Sequence, residues 1–289
     1  MITKKDTSFL IVGLGVIGGS YAMGLTQKGY TVTGIDTDTK SLNYALEKGY
    51  IKSGSTTADK EIISQADVII FALYPKIFLD WVSKNKDYFK KGAVITDVTG
   101  VKSPLVYDIQ KILPQDVEFV PAHPMAGKES SGIKNSDPQI FKGANYIVTP
   151  TNTNTKEAID LCKGIGEALD FEKISVITPE FHDEMIGFVS QLTHCIAVSL
   201  MTCYESVGLE DYTGDSFRDL TRIAKINDEM WSELFIANKQ ALLSQMDLFE
   251  NSFTKLKNSI INNDVDALRE QMQISTARRH LFDKPKNRR

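Results

Sequence analysis

Cysteine is scarce in this chain: Cys162, Cys195 and Cys203 are the three among 289 residues. Their number is odd and they form no CxxC pair. That excludes a disulfide framework and fits reduced, buried thiols of a cytoplasmic protein. Histidine is also sparse, with four residues, and no His/Cys/Asp/Glu group has zinc or calcium spacing, so no metal is expected. Strong charge of one sign is missing too. With 33 basic and 37 acidic residues the net charge is −4, which gives no general pull toward nucleic acid or anionic lipid. Only the tail is basic, with Lys284, Lys286, Arg288 and Arg289, and it reads as a frayed, solvated terminus. No stretch reaches the ~18–20 uninterrupted apolar residues of a membrane span. The apolar run after Met1–Asp6 is too short for a signal peptide. What remains is a globular chain, 42% hydrophobic and 24% charged, long enough for two domains.

The first ~180 residues alternate short apolar runs with helical patterns, the mark of a mainly parallel sheet covered by helices. Strands are predicted at Ser8–Val12, Thr31–Ile35, Val68–Leu73, Ala93–Thr96, Glu118–Pro121, Asn145–Thr149 and Ile174–Ile177, with helices at Gly18–Lys28 and Lys40–Lys48. The pattern changes at Thr178-Pro179-Glu180, where Thr178 can cap a helix and Pro179 suits its first position. Beyond it only helices are predicted: Pro179–Ser206, Ser216–Lys225, one from an Asn227 cap to about Ile261, and Asp264–Phe282. The third carries apolar residues at spacings of three and four, from Trp231 and Leu234 to Ile260, and would be roughly 50 Å long. Such a length predicts packing against another subunit. The expected fold is therefore an α/β Rossmann-type domain over residues 1–178 and an all-α domain over 179–289.

Gly13-Leu14-Gly15-Val16-Ile17-Gly18 follows a predicted strand and opens a predicted helix, the context a GxGxxG dinucleotide turn requires. The glycines close the turn, admit the pyrophosphate and let helix and strand pack, and the helix N-terminus offers free N–H groups. Gly13, Gly15, Val16, Ile17 and Gly18 are the expected cofactor contacts. Asp36, ending the second strand, stands where a ribose hydroxyl would bind. Thr37 and Asp38 follow with no Arg nearby, so a 2′-phosphate would meet two carboxylates; the cofactor is expected to be NAD rather than NADP.

Two loops should face the cofactor crevice. Asp97-Val98-Thr99-Gly100-Val101-Lys102 offers the Thr99 hydroxyl and close approach at Gly100, although a capped turn would use the same residues. His123-Pro124-Met125-Ala126-Gly127 fixes an imidazole at the functional end of the sheet, placed to take a proton as hydride leaves.

These motifs together resemble the prephenate dehydrogenase family. The resemblance rests on Gly13–Gly18, Asp36, Asp97–Lys102, His123–Gly127 with Glu129, Ser131 and Gly132, Ala144–Pro150, His182-Asp183, Ser190–His194 and Phe217–Ala224, in order over about residues 8–245. It implies NAD(P)-dependent oxidation and decarboxylation of prephenate to 4-hydroxyphenylpyruvate, or of arogenate to tyrosine, in tyrosine biosynthesis, with NAD the cofactor expected from Asp36 and Asp38. It implies that His123 binds the ring hydroxyl, Arg222 a substrate carboxylate, and His194 lines the site. Gln191 stands where other relatives carry His. Thr99-Gly100 stand where many have Gly-Ser, so either Thr99 or a water takes the serine's role. Arg218, one turn before Arg222, is either a second contributor or a partner of Asp219 or Glu205. His182 is expected to be structural, capping its helix or pairing with Asp183.

Three further expectations follow: a homodimer through the helical half, no appended regulatory or mutase domain, and no nucleic-acid or membrane partner. A β-hydroxyacid dehydrogenase would need a lysine that Pro179–Ser206 lacks. A dinucleotide-sensing protein without catalysis would have no use for His123, His194 and Arg222 together.

Overall fold

The computed structural model describes residues 6–128, 130–205 and 207–283. Its first half alternates β1 (Ser8–Val12), α1 (Val16–Gln27), β2 (Thr31–Ile35), α2 (Thr39–Glu47), β3 (Ser53–Ser55), α3 (Lys60–Gln65), β4 (Val68–Phe71), α4 (Pro75–Asn85), β5 (Val94–Asp97), α5 (Ser103–Ile112) and β6 (Glu118–Phe119). The six strands form one parallel sheet in the order β3-β2-β1-β4-β5-β6. The order reverses between β1 and β4, and the crevice beyond their carboxyl ends is where such sheets take a dinucleotide. Apolar side chains fill both faces. Phe9, Ile11, Tyr21 and Leu25 lie in one core; Leu10, Phe71, Phe78 and Ile109 lie in the other. β3 was absent from the predicted strands because Ser53-Gly54-Ser55 carries no apolar residue; Gly54 is there because a Cβ would meet the Gly34 carbonyl oxygen at 2.5 Å.

The predicted strand at Glu118–Pro121 is divided between two sheets. Val120 still donates to the Ile95 carbonyl, but Pro121 has no N–H, so pairing with β5 stops there. The chain continues as β7 (Ala122–Pro124), which pairs antiparallel with β8 (Asn145–Val148). β8 pairs in parallel with β9 (Lys173–Val176), across the crossover helix α6 (Lys156–Ala168). The small sheet and α6 complete the core that contains Tyr21.

From Pro179 onward the described chain forms helices and turns. α7 (Pro179–Ile186) is capped by Thr178, whose hydroxyl accepts from the Phe181 N–H. Its axis runs on as a π-helix, Gly187–Leu192, into α8 (Thr193–Thr202). The π-helical turn lies against the start of a later helix, Lys239–Ile261, where a Cβ on Gly187 would touch Gln245 and the Ala241 backbone at 3.4–3.6 Å. By length and composition Pro179–Thr202, with mean hydropathy 1.4 in its most apolar window, is the one helix among the described residues that could cross a membrane. Its polar residues His182, Asp183 and Gln191 are buried and bonded within the protein.

α9 (Asp215–Thr221) ends in a 3-10 turn over Arg222–Ala224. The helix expected from Asn227 to Ile261 is two helices, α10 (Asp228–Ala237) and α11 (Lys239–Ile261), followed by α12 (Val265–Arg279). The break falls at Asn238, whose amide turns inward and donates to the Asp183 carbonyl at 2.9 Å and to Gln191 Oε1 at 2.7 Å. Of the three cysteines only Cys162 is buried; Cys195 is half-buried and Cys203 exposed, which corrects the expectation of three buried thiols. The basic tail from Lys284 lies outside the described residues.

Asn238→Ala removes the donor that Gln191 Oε1 uses in a buried place. A loss of about 1–3 kcal/mol of unfolding free energy is expected in denaturant melts; an unchanged midpoint would mean the corner is held by packing alone.

Candidate active site

The glycine turn leaves β1 and enters α1 at the switch point. Gly13 has φ +93°, and a Cβ there would stand 2.5 Å from the Ala72 carbonyl oxygen. A Cβ on Gly18 would stand 1.9 Å from the Gly13 carbonyl oxygen, so this glycine lets helix and strand touch. Gly15 is different: a Cβ there would project into open space with nothing within 4 Å. Gly15 is also the N-cap of α1 and offers no side chain, so the first-turn N–H groups of Val16 and Ile17 face that space uncapped. Asp36 is fixed beside it. One carboxylate oxygen accepts from Leu14 N at 2.6 Å, the other from Asp38 N at 2.8 Å. An open cradle at Gly15, an uncapped helix terminus and a positioned carboxylate fit a dinucleotide's pyrophosphate and ribose.

Behind the crevice, β5 and β7 are joined by a buried ion pair. Lys102 is fully buried, and its Nζ donates to both Asp97 oxygens at 2.8 and 2.9 Å and to the Ala122 carbonyl. Asp97 Oδ1 also accepts from Ala122 N at 3.0 Å. The backbone N–H and C=O freed when Pro121 ends the ladder are thus both satisfied by this pair. Burial lowers the Lys102 pKa, and Asp97 opposes the shift. The Thr99 hydroxyl belongs to the same cluster. It bonds with Asp97 and the Val101 carbonyl, and Lys102 Nζ lies 3.3 Å from it. Thr99 therefore does not present its hydroxyl to the crevice. Gly100 faces it instead, where a Cβ would lie 3.9 Å from His123 Cε1 and 3.8 Å from Leu234.

His123 sits on β7 opposite Ile147, half-buried. Its Nδ1 is 2.9 Å from Nε2 of His182 on α7. His182 Nδ1 is in turn 2.8 Å from Asp183 Oδ1. Asp183 also accepts from Lys102 N at 2.8 Å and Ser103 N at 2.7 Å, at the start of α5. Burial pushes the His123 pKa well below the usual 6.5, with the neighbouring His182 and Lys102 charges acting the same way. Burial also lowers His182, against the opposing effect of its bond to Asp183. Burial works against the Asp183 carboxylate, but bonds from His182 and the two backbone N–H groups outweigh it and hold its pKa below the ordinary range.

The helical half closes over this edge through one face of α10. Trp231 and Leu234 are three residues apart on it. Leu234 reaches Gly100; Trp231 stacks on His194 with ring centroids 3.7 Å apart. His194 Nδ1 is held by the Ser190 carbonyl at 2.8 Å. Burial lowers its pKa, its bond to Ser190 opposes this, and the Arg222 charge adds to the lowering; the 3-10 turn that begins at Arg222 packs on α8, the helix of His194. Gln191 is buried with both amide ends engaged, by Asn238 and by the Leu234 carbonyl at 3.0 Å. Arg218 lies on the surface, bonded to Asp215 at 3.1 Å and to the Thr213 carbonyl at 2.9 Å rather than to Asp219 or Glu205. α10 thus lies beside Gly100 and His123 through Leu234 and on His194 through Trp231, while Arg218 lies outside and Gln191 behind. Among the described residues no group of three or more His, Cys, Asp or Glu could hold a metal ion.

Trp231 and Leu234 were legible only as a helical apolar stripe, and His182 only as the neighbour of Asp183. The pairing of His182 with His123 spans 59 residues, and no local spacing announces it.

A glycine turn at the switch point of this sheet, with a neutral imidazole across the crevice, defines a nucleotide-dependent dehydrogenase. The family description "prephenate dehydrogenase, nucleotide-binding domain" matches residues 21–171, and "prephenate dehydrogenase, dimerization domain" matches residues 178–274. The chain is 28% identical to prephenate dehydrogenase of Bacillus subtilis (strain 168) over 275 residues, 93% of this chain and 74% of that protein. It is 27% identical to cyclohexadienyl dehydrogenase of Zymomonas mobilis, covering 92% of each chain. The solved prephenate dehydrogenase of A. aeolicus, in complex with hydroxyphenyl propionate and NAD+, superposes with TM-score 0.89 at 31% identity over 97% of this chain and 100% of that one. The chain belongs to the prephenate dehydrogenase family and is an oxidoreductase.

The two glycines separate packing from binding. Gly18→Ala should cost about 1–3 kcal/mol or more of stability through overpacking. Gly15→Ala should leave the melting temperature within a degree or two but weaken NAD binding at least tenfold by calorimetric titration. Equal NAD affinity in Gly15→Ala would remove that turn from the phosphate site.

Proposed function

We propose that this protein oxidises prephenate with NAD, releasing carbon dioxide and 4-hydroxyphenylpyruvate for tyrosine biosynthesis. The observation that carries the reading is the His123 imidazole, kept neutral by burial, beside Gly100 at the end of the sheet, with Leu234 of α10 on the same glycine and Trp231 of that helix stacked on His194; Arg222 is read as the cation of this site. NAD, when bound at Gly13–Gly18 and Asp36, supplies the hydride acceptor. Preference for NAD over NADP is supported by Asp36 and Asp38 at the ribose end, which would repel a 2′-phosphate.

His123 Nε2 accepts the hydrogen bond of the ring hydroxyl and takes its proton as hydride leaves the same carbon. Cleavage of the bond to the ring carboxylate then sends its electron pair into the ring, and the aromatised oxygen recovers the proton from His123. Arg222 grips the side-chain carboxylate with its planar fork, and His194 with Trp231 walls that end of the substrate. Gly100 admits the ring against the His123 edge, and the fixed approach is what lowers the barrier. In this reading Thr99 supports the loop through Asp97 and Lys102, and Gln191 supports α10; Arg218 has no substrate contact.

The rest of the assignment follows the same lines. The division at 178/179 coincides with the start of α7, and the two family matches end and begin close to it. A homodimer through the helical half is supported by the dimerization-domain description over 178–274 and by exposed Phe188, Leu248, Phe253 and Ile260. Three cysteines without a disulfide agree with a cytoplasmic protein. Arogenate is the second substrate reading, because cyclohexadienyl dehydrogenase is among the relatives.

NADH formation with NAD and prephenate, beside arogenate and NADP, tests the proposal; turnover on neither acid would refute it, and turnover on arogenate alone would move it to the tyrosine-forming reaction. Arg222→Ala should raise the KM for prephenate ten- to a hundredfold with little change for NAD, from loss of a charge-assisted bond of ~1.5–3 kcal/mol. Because His123 is held below 6.5, the neutral base persists as pH falls through that value. The acid limb of kcat should therefore lie below the unperturbed value of about 6.5; a limb at or above it would contradict the burial of His123.

A further inference from the structure

We propose that His182, backed by Asp183, is the positioning residue that sets the tautomer of His123 and shares the proton it takes up. The inference rests on the reading of His123 as proton acceptor. Its geometric basis is the chain of contacts His123–His182–Asp183, 2.9 and 2.8 Å long, ending on two backbone N–H groups.

Only one proton arrangement satisfies that chain when both rings are neutral. Asp183 is a carboxylate and can only accept, so His182 carries its proton on Nδ1. Its Nε2 is then a bare lone pair, and His123 must donate to it from Nδ1. The one nitrogen left on His123 without a proton is Nε2, the atom the reaction needs as acceptor. Without His182, nothing on α7 would favour this tautomer over the other. The same chain acts after proton transfer. The His123 imidazolium gains a charge-assisted bond to His182 Nε2, and the adjoining Asp183 carboxylate offsets part of its charge.

The groups around the pair fix the sign. Lys102 repels a proton on either ring, while Asp183 and Asp97 favour one on His182. α10 contributes the apolar Leu234 on the Gly100 side. The resting pair is therefore neutral, and the proton is accepted only when the substrate supplies it. Asp183 ties this to the fold, because it holds α7 against the first N–H groups of α5. A ring displaced from α7 would lose His123's partner and that tether together.

His182→Ala should lower kcat by on the order of a hundredfold, within the range of a positioned acid–base group, with the KM values for NAD and prephenate changed less than threefold. Added imidazole should restore part of the rate. His182→Gln keeps an acceptor oxygen and a donor on one planar group, so it should hold kcat within about tenfold and shift the acid limb. The decisive readout is the double variant. If His182 acts through His123, His182→Ala lowers kcat in the wild type but not further in His123→Asn. A purely structural role would lower both equally. If His182→Ala does not fold, the same comparison is made with His182→Gln, where a loss repeated in the His123→Asn background overturns the inference. Wild-type kcat and pH profile in His182→Ala would also overturn it. Retention of activity by His123→Asn would instead overturn the underlying reading of His123.

Discussion

The carboxylate of Asp183 is shared between the two halves of the chain. It accepts the Lys102 and Ser103 N–H groups at the head of α5 and the Nδ1–H of His182 on its own helix. A buried carboxylate is costly unless its lone pairs are filled, and here they are filled from both sides at once. The helix terminus gains an anion where its dipole favours one. The parallel sheet, the break after Pro121 and the approach of α7 all converge on placing these partners within reach.

A second buried charge supports the first. Lys102 and Asp97 satisfy the backbone of Ala122, the residue before His123. Pro121 makes this necessary, since it removes the ladder bond that would have kept the chain in the large sheet. The imidazole is therefore held from two directions, by β7 behind it and by His182 beside it. Burial keeps it neutral, and the His182 and Lys102 charges act the same way. α10 brings an apolar side chain, Leu234, to Gly100 and an aromatic one, Trp231, to His194.

Much of this was legible in the residues. β1, β2 and the capped start of α7 follow from apolar runs punctuated by Gly, Asp and Pro, which are local signals. The glycine turn and Asp36 were legible as candidate nucleotide contacts, and the Pro- and Gly-bounded loop singled out His123 as a candidate base. What was not legible depends on distance along the chain. Asn238 ends a helix that periodicity would have continued, because its amide is needed by Asp183 and Gln191, 55 and 47 residues away. Thr99 offered a hydroxyl to the crevice by position, but a buried Lys102 and Asp97 claim it. Gln191 had been matched to a site histidine, yet its amide is consumed in supporting α10. His182 read as a cap or as a partner of Asp183; the pairing with Asp183 is there, and only the fold puts its second nitrogen against His123.

The central claim is that the resting enzyme holds His123 neutral with its proton on Nδ1. Nitrogen-15 NMR of histidine-labelled protein at pH 7, with resonances assigned by His123→Asn and His182→Gln, reads this directly. The account predicts that both His123 and His182 are neutral, with Nδ1 protonated and Nε2 bare. A His123 ring carrying its proton on Nε2, or doubly protonated at that pH, would contradict it.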